Sequence, residues 1–328
     1  MSASTPDRIT SRFNRKSTAL EVVNGLSLNG RNIVVTGGAS GLGLETSRAL
    51  AQAGASLTLA VRDMAQGDAA ATALSGSTGN KKIRVAQLDL ADLASVQRFA
   101  NDWKKSGDPL HVLINNAGIM ACPLSRSAQG WESQFATNHL GHFALTRALL
   151  PVLLKSEAPR VVALSSSGHR LSPIVFDDIH FEKREYNKWK AYGQAKTANA
   201  LMALHLDTLH AKDGLTANAV HPGGIQTGLS RHITREEMEA MGWVKPGAEP
   251  GYIPPGFKNP EQGAATSVWA ATAPELQGRG GLYLEDVNEA VPSPEGERRF
   301  GYVAHVRDRE AAARLWAVSE DMLAQAGF

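Results

Sequence analysis

Short runs of apolar residues alternate with longer amphipathic segments from residue 31 onward. Most of these runs are apolar at every position, which is typical of strands covered on both faces. The predicted strands lie at 33–36, 56–61, 83–88, 111–115, 160–165, 216–220 and 281–284. The predicted helices lie near 42–53, 64–75, 92–105, 131–155, 189–211, 261–273 and 308–325. Because strand–helix–strand units cross over right-handedly, the pattern predicts an α/β domain with a doubly wound, parallel, seven-stranded sheet.

The same pattern divides the chain into three parts. The domain covers residues 31–290, and a segment at 226–260 interrupts it between a strand end and a helix. This segment is rich in Gly, Pro and Met, and its place beyond the carboxyl ends of the strands predicts an inserted lid over a ligand. Residues 1–30 are polar, which favours a solvated extension over a specific docking arm. Residues 291–328 are predicted to form a C-terminal extension with a helix.

Composition excludes several classes of protein. A chain of 328 residues with one cysteine, Cys122, forms no internal disulfide and no Cys-rich zinc site. The net charge of +2 gives no general attraction to nucleic acid. No run of apolar residues has the length of a membrane span or a signal-peptide core, so we expect no membrane span and a cytoplasmic protein. Four histidines lack metal-ligand spacing and are interpreted as structural, with no metal site predicted: His139, His142, His169 and His221.

A glycine-rich turn, TGGASGLG, joins the first predicted strand to the first long helix. Gly37 permits a tight turn, Gly41 lets backbone approach a pyrophosphate, and Gly43 allows the helix to pack closely on the strand. The helix N-terminus offers free N–H groups to phosphate. The strand before and the helix after the turn favour a Rossmann-like dinucleotide site over a plain β–α turn.

The end of the second strand bears on which dinucleotide binds. An acidic residue there would bind the ribose diol of NAD, but the strand ends at Val61 and Arg62 follows. Arg62 can bind a 2′-phosphate through two hydrogen bonds, so we predict NADP(H) in preference to NAD(H). A solvated Arg62 is the alternative, and an inward-pointing Asp63 would reverse the preference.

Four separated segments carry polar residues suited to proton transfer. Tyr192 and Lys196 are four residues apart in a helical pattern, which places both on one face. A serine triplet at 165–167 follows the fifth strand, Asn138 lies in a long helical segment, and residues 115–118, NNAG, close the fourth strand. Taken alone, the Tyr–Lys pair is better explained as a helix-surface pair.

In this order the motifs resemble those of the short-chain dehydrogenases/reductases over about residues 31–290. The matching segments are TGGASGLG, NNAG, the Asn138 segment, the serine triplet, YGQAK at 192–196 and HPG at 221–223. Further segments resemble the retinol-dehydrogenase branch, which includes the catalytic domain of the WW-domain-containing oxidoreductase: AVRD at 60–63, NHLGHF at 138–143, QGAAT at 262–266 and LWAVSE at 315–320. No WW module precedes the domain, so no peptide-binding role is carried over.

The resemblance and the residue arguments together predict an enzyme site. The predicted catalytic residues are Asn138, Ser166, Tyr192 and Lys196. The predicted cofactor-binding residues are Gly37, Ser40, Gly41, Leu42, Gly43, Arg62, Asp89, Leu90, Asn116, Ala117, Gly118, Tyr192, Lys196, Pro222, Gly223, Ile225 and Thr227. The choice of the second serine rests on the resemblance, with Ser165 and Ser167 as alternatives. Asp89 is expected to contact adenine or, alternatively, to cap a helix, and Thr227 has a similar capping alternative.

Hydride transfer to a carbonyl carbon needs a proton on the oxygen, and Tyr192 is its predicted source. A free tyrosine has a pKa near 10. An ammonium about 4 Å away contributes roughly 4 kcal/mol at an effective dielectric constant near 20. That energy corresponds to about three pKa units, so Lys196 is expected to bring the pKa of Tyr192 to about 7. Ser166 is expected to orient the substrate oxygen, and Asn138 to position Lys196 or a water molecule.

The apolar residues around this segment predict the substrate class. They are Met120, Leu171, Trp189, Ile225, Met238, Met241, Trp243, Tyr252 and Phe257. With few fixed charges among them, we expect a bulky, mostly apolar alcohol and its ketone or aldehyde. The family resemblance implies a homodimer or homotetramer that pairs helices 131–155 and 192–211. Two rival functions are a non-catalytic NADPH sensor or scaffold, and an epimerase or dehydratase that cycles bound cofactor.

Overall fold

One β-sheet organises the part of the chain that the computed structural model describes, residues 8–249, 252–294 and 300–328. Its strands are β1 (Asn32–Thr36), β2 (Ser56–Val61), β3 (Ile83–Gln87), β4 (Val112–Asn115), β5 (Arg160–Leu164), β6 (Thr216–His221), β7 (Tyr283–Glu285) and β8 (Asn288–Glu289). The order across the sheet is β3-β2-β1-β4-β5-β6-β7-β8. From β1 to β3 successive strands are added on one side of β1, and from β4 onward they are added on the other side. Ligands of doubly wound sheets bind outside the carboxyl ends of the strands where the order switches in this way.

The helices cover both faces of this sheet. They are α1 (Ala19–Val23), α2 (Gly41–Gln52), α3 (Met64–Thr78), α4 (Leu93–Ser106), α5 (Ser133–Phe135), α6 (Gly141–Leu153), α7 (Lys188–His210), α8 (Arg235–Ala240), α9 (Pro260–Gly263), α10 (Ala265–Thr272) and α11 (Arg309–Gln325). One buried cluster joins α4, α6, α7 and α11 to the sheet, and another joins α1, α2 and α10 to its opposite face. No helix among the described residues is long and apolar enough to cross a membrane.

The predicted parallel α/β sheet is confirmed, and a short edge strand adds to it. The first seven strands pair in parallel, with Val34 beside both Thr58 and Leu113. β8 is antiparallel to β7 and pairs Leu284 with Glu289. A count of seven strands is therefore one short for the described residues. Two residues are too few to produce a visible pattern of alternation, so β8 is not predictable from the pattern of apolar residues.

The N-terminal extension packs against the domain, which corrects the expectation of a solvated segment. Glu289 donates its backbone N–H to the carbonyl of Ile9 at 2.9 Å, so the arm extends the sheet edge beyond β8. Farther along, Val22 and Val23 of α1 are buried in the core. The free energy gained by burying these apolar side chains holds the segment on the domain, although most of its residues are polar. Residues 1–7 of the predicted extension lie outside the described residues.

The C-terminal helix lies on α6 and α7. The rings of Phe143 and Trp316 meet edge to face, with centroids 4.7 Å apart, and Arg147 forms an ion pair with Glu320 at 3.0 Å. As a consequence, every residue of α7 from 191 to 204 is buried within one copy of the chain. Residues 295–299 of the predicted C-terminal extension, and residues 250–251 of the predicted lid, lie outside the described part.

Candidate active site

The glycine-rich turn between β1 and α2 is too tight for side chains. Gly37 and Gly41 have positive φ angles, +64° and +50°. A Cβ on Gly43 would lie 2.2 Å from the carbonyl oxygen of Gly37 and 2.6 Å from Nδ2 of Asn116. Ser40 is the N-cap of α2, yet its hydroxyl makes no capping hydrogen bond to the helix. The N–H groups at this helix end are thus not used by the cap, and the turn fits a pyrophosphate.

Hydrogen bonds join the end of β4 to the end of β1 beside this turn. Thr36 Oγ1 accepts the backbone N–H groups of Asn116 and Ala117, each at 2.9 Å. Nδ2 of Asn116 also donates to the Thr36 carbonyl at 2.8 Å. These bonds place the predicted groove residues next to Gly37, where an added Cβ would meet Ala117 at 3.2 Å.

At the end of β2, Arg62 and Asp63 have different surroundings. Asp63 is the N-cap of α3, and its carboxylate accepts the N–H of Gln66 at 3.1 Å. Arg62 is exposed and makes no hydrogen bond or ion pair with any described residue. The inward-pointing Asp63 that would have reversed the cofactor preference is therefore not found in this structure.

On the adenine side, Asp89 does not cap α4, because Asp92 fills that position. The Asp89 carboxylate instead accepts the N–H of Ala91 at 2.9 Å within its own turn, so the helix-cap alternative is wrong. Leu90 follows, and a Cβ on Gly141 would lie 2.2 Å from the Leu90 carbonyl oxygen. This close contact positions the loop after β3 against the start of α6.

The predicted helix at 131–155 is interrupted, and the interruption positions Asn138. Residues Ala136–Leu140 form a π-helical turn between α5 and α6. Such turns occur frequently at functional sites. Asn138 is fully buried, and its amide exchanges two hydrogen bonds with the backbone of Ile119, at 2.8 and 2.9 Å. A Cβ placed on Gly118 would lie 3.1 Å from Asn138 Oδ1 and 3.6 Å from Lys196 Nζ, so both polar groups flank Gly118.

Within the serine triplet, Ser166 is the member whose hydroxyl lies beside Tyr192. It accepts the N–H of Gly168 at 3.1 Å, and a Cβ on Gly168 would lie 3.4 Å from this hydroxyl and 2.8 Å from Cε1 of Tyr192. Ser165 is turned the other way and donates to the Lys196 carbonyl at 2.8 Å. Ser167 contributes its backbone N–H to Nδ1 of His221 at 3.2 Å. Ser165 and Ser167 are thus engaged in holding neighbouring segments.

Burial dominates the electrostatics of the Tyr192–Lys196 pair. Burial raises the pKa of Tyr192 to about 12, while the Ser166 hydroxyl lowers it less strongly. Burial lowers the pKa of Lys196 to about 8. The Lys196 ammonium donates to the carbonyl of Leu164 at 3.0 Å and lies 5.7 Å from the centroid of the Tyr192 ring. The pKa near 7 that the charge of Lys196 led us to expect is therefore not found in this structure, because desolvation of the phenol raises the pKa instead.

The segment after β6 faces the glycine-rich turn. Gly223 has a φ of +106°, and the backbone N–H of Lys258 donates to the Gly224 carbonyl at 2.8 Å. Ile225 pairs with Lys258 in an isolated parallel bridge. Thr227 caps the short turn Gly228–Ser230, as its alternative interpretation predicted. It also lies beside the phosphate turn, because a Cβ on Gly41 would be 3.6 Å from its Cβ.

Apolar side chains from the lid segment and from neighbouring segments cover Tyr192. Tyr192 belongs to a small cluster with Met120, Ala121, Trp189, Leu229, Ile233, Met238 and Trp243. The sequence analysis named four of these side chains but missed Ala121, Leu229 and Ile233. Leu229 and Ile233 lie within the lid segment after β6, so their position in the chain could have indicated them. Phe257 packs on Trp243, with ring centroids 5.9 Å apart. Leu171 is 49% exposed and lies outside this cluster.

The predicted structural histidines are deep in the core. His142 contacts Thr36 Oγ1 through Nε2 at 2.9 Å, and burial lowers its pKa to about 4. His139 contacts Ser319 at 2.9 Å, and burial lowers its pKa to about 3. Across 8–249, 252–294 and 300–328, no group of three His, Cys, Asp or Glu residues is placed to hold a metal ion.

Comparison with known proteins agrees with this geometry. The profile of the short chain dehydrogenase family matches residues 31–238. A "Probable oxidoreductase" of Streptomyces antibioticus is 44% identical over 302 residues, which is 91% of this chain and 99% of that protein. Retinol dehydrogenase 12 of Mus musculus is 37% identical over 298 residues, covering 91% of this chain and 88% of its own. RhlG of Pseudomonas aeruginosa, solved as an active-site complex with NADP, has a TM-score of 0.59 and 27% identity over 79% of this chain and 95% of its own.

The chain belongs to the short-chain dehydrogenase/reductase family. The similarity to retinol dehydrogenase 12 confirms the predicted retinol-dehydrogenase-like branch. This short-chain dehydrogenase/reductase is thus an oxidoreductase that acts on CH–OH groups. Its turn at residues 36–43 fits a nicotinamide dinucleotide, whose pyrophosphate the N-terminus of α2 would bind.

Gly43→Ala tests the phosphate turn of this short-chain dehydrogenase/reductase. The added methyl group overlaps the Gly37 carbonyl, so the turn must open and its N–H groups move. We expect the affinity for NADPH to fall by about tenfold or more, since a lost charge-assisted hydrogen bond costs about 1.5–3 kcal/mol. Titration of NADPH fluorescence measures it. Gly76→Ala is the matched control, because nothing lies within 4 Å of its Cβ position. Unchanged affinity in a folded Gly43→Ala protein would contradict the assignment.

Proposed function

We propose that this protein interconverts a bulky, mostly apolar alcohol and its ketone or aldehyde with NADP(H). The observation that carries the proposal is the surroundings of the Tyr192 hydroxyl. Ser166 lies beside it across Gly168, its ring is covered by an apolar cluster, and the Lys196 ammonium is buried on the same helix. A proton donor, an orienting hydroxyl and a cation therefore lie beneath an apolar wall.

The chain's own residues account for the proton transfer. In the direction of reduction, Tyr192 gives its proton to the carbonyl oxygen, and burial keeps it protonated until that step. Ser166 donates a hydrogen bond to the same oxygen and orients it. The Lys196 ammonium stabilises the phenolate that forms, and Asn138 fixes the backbone of Ile119 beside it. The nicotinamide, when bound, supplies or accepts the hydride.

Two observations support NADP(H) as the cofactor. Arg62 is exposed at the end of β2 without a described partner, while Asp63 is occupied at the start of α3. A guanidinium in this position can bind a 2′-phosphate with two hydrogen bonds. The solved relative RhlG forms a complex with NADP, in line with this preference.

The lid segment supports an apolar substrate. Trp189 of α7 meets Trp243 of the segment, with ring centroids 5.8 Å apart. Lys188 and Glu237 form an ion pair at 2.5 Å that ties α8 to the start of α7. The segment thereby closes an apolar wall over Tyr192, as a lid that excludes water would do. The name of the mouse relative gives retinol, an apolar alcohol, as its substrate.

The two rival functions make different use of the same residues. An NADPH sensor needs the cofactor site but not Tyr192 and Ser166 side by side, so their proximity favours catalysis. An epimerase or dehydratase would regenerate its cofactor within each cycle. Net oxidation of added NADPH separates that class from the proposed reductase.

Assembly into a dimer or tetramer stays a prediction. The packing of α11 bears on which helix faces are free to pair between copies. The face of α6 that carries Phe143 and Arg147 is occupied by α11 of the same chain, and α11 also packs on α7. Pairing between copies while α11 stays in place would therefore use other faces of these helices.

Tyr192→Phe removes the proposed proton donor and keeps the ring in its apolar cluster. We expect turnover of an apolar ketone with NADPH to fall at least about a hundredfold, the order that general acid catalysis contributes. NADPH affinity should stay within about twofold, because the hydroxyl contributes little to cofactor binding. Absorbance at the nicotinamide band measures turnover across a panel of apolar and small charged ketones.

Tyr302→Phe is the matched control, since the Tyr302 hydroxyl makes no hydrogen bond to any residue in the described ranges; it should leave turnover unchanged. Substantial turnover by Tyr192→Phe contradicts the mechanism. NADPH binding without turnover of any ketone, or of the matching alcohols with NADP⁺, favours the sensor. A preference for small charged ketones contradicts the proposed substrate class.

Arg62→Ala tests the cofactor preference. We expect the ratio of kcat/KM for NADPH to that for NADH to fall by about tenfold or more, the loss expected for a charge-assisted pair with phosphate. Steady-state kinetics with both cofactors measures the ratio. Arg279→Ala is the control, because Arg279 is exposed just before β7, at the opposite end of the strands. Equal use of both cofactors by the unmodified protein would contradict the prediction.

A further inference from the structure

His169 is a buried histidine that the proposed mechanism does not use. It lies in the short 3-10 turn Ser167–Leu171, immediately after the catalytic serine, and its side chain is fully buried. One ring nitrogen, Nδ1, lies 2.6 Å from the carbonyl oxygen of Ser166. The other, Nε2, lies 3.3 Å from the backbone nitrogen of Val303 in the C-terminal extension. The ring therefore bridges two segments that are far apart in sequence.

The partners of the ring fix its tautomer. Val303 can only donate through its backbone N–H, so Nε2 must be the acceptor. Burial lowers the pKa of His169 to about 4, which keeps the ring neutral near pH 7. A neutral ring carries one proton, and it must be on Nδ1. His169 thus donates a hydrogen bond to the Ser166 carbonyl.

Three donors converge on that carbonyl. The His169 backbone N–H lies 3.0 Å from the Ser166 oxygen, and the ring Nδ1 lies 2.6 Å from it. The hydroxyl of Tyr283 on β7 donates to it at 3.2 Å. With its carbonyl so held, the Ser166 backbone has little freedom to turn, and its hydroxyl stays aimed at Tyr192.

The turn that contains His169 packs closely against the Tyr192 ring. A Cβ on Gly168 would lie 2.8 Å from Cε1 of Tyr192, and a Cβ on Gly193 would lie 2.6 Å from the Gly168 carbonyl oxygen. A shift of the turn would therefore move both the Ser166 hydroxyl and the ring beside it. Displacements of about 1 Å at reacting groups can lower rates about a hundredfold.

The C-terminal extension encloses this turn. His305 Nε2 contacts the His169 carbonyl at 2.9 Å. The Arg170 guanidinium donates to the carbonyls of Phe300 and Gly301 at 2.6 and 2.7 Å. Residues 300–307 therefore cover the side of the turn that faces away from Tyr192.

From these contacts we propose that His169 is a positioning residue that holds Ser166 in its catalytic orientation, with the C-terminal segment 300–307 fixing the histidine ring in turn. The inference rests on the proposed role of Ser166. It assigns the extension a part in catalysis although the extension brings no group to the reacting atoms.

Two amide variants separate the roles of the ring nitrogens. In His169→Asn, the side-chain amide takes the place of Nδ1 and can donate to the Ser166 carbonyl. In His169→Gln, it takes the place of Nε2 and can accept from Val303 instead. We expect His169→Gln, which loses the bond to the Ser166 carbonyl, to lower kcat for ketone reduction by about tenfold or more. His169→Asn, which loses only the contact with Val303, should lower kcat by a smaller factor. NADPH affinity and thermal midpoint, measured for both, should differ little between them.

A double-mutant cycle with Ser166→Ala completes the test. If the histidine acts through the serine, His169→Gln has little further effect on kcat once the serine hydroxyl is gone. Equal kcat in the Asn and Gln variants, or additive losses in the cycle, would overturn the inference. If Ser166→Ala itself leaves kcat unchanged, the proposed role of Ser166 fails, and the inference falls with it. If Ser166→Ala lowers kcat while His169→Gln leaves kcat unchanged, only the inference about His169 is overturned, and the proposed role of Ser166 stands.

Discussion

The buried ammonium of Lys196 is the constraint on which the site depends. An ammonium taken out of water costs several kcal/mol unless nearby groups compensate for its lost hydration. Here the chain offers the Leu164 carbonyl at the end of β5, at 3.0 Å from Nζ. Asn138 Oδ1 and Lys196 Nζ both lie near Gly118, at 3.1 and 3.6 Å from the position of an added Cβ. Leu164 ends β5 and Lys196 belongs to α7, so the ammonium gains its hydrogen bond only where this helix meets the carboxyl end of that strand.

The parallel sheet produces that meeting, because the carboxyl ends of β1, β4, β5 and β6 reach one edge. Thr36 fastens β4 to β1 there. The two extensions pack around the sheet, since the N-terminal arm hydrogen-bonds to β8 at its side and the C-terminal segment encloses the turn after Ser166. Hydrogen bonds thus hold the loop after β4 and the turn after Ser166 in place, which gives the polar site a fixed geometry.

Local patterns in the sequence predicted the parts of this arrangement that depend on neighbouring residues. Runs of apolar residues predicted the seven parallel strands, and the spacing of Tyr192 and Lys196 predicted a shared helix face. The π-helical turn at Asn138 was not predicted, because its pattern of apolar residues resembles that of a plain helix. The pKa of Tyr192 was predicted in the wrong direction, since the sequence shows the neighbouring charge but not the extent of burial. His169 was interpreted as structural because it lacks metal-ligand spacing, and the sequence does not show its contact with Val303, which is 134 residues away.

The pH dependence of kcat for reduction of an apolar ketone by NADPH tests the central role of the Lys196 charge most directly. The ammonium is the charged form below its pKa of about 8, and burial keeps Tyr192 protonated to about pH 12. We therefore expect kcat to be level below pH 8 and to fall above it, by up to about tenfold per pH unit. In Lys196→Arg, whose guanidinium stays charged, whatever activity remains should show no fall near pH 8. A kcat that rises through pH 8, or the same fall in the arginine variant, would contradict the account.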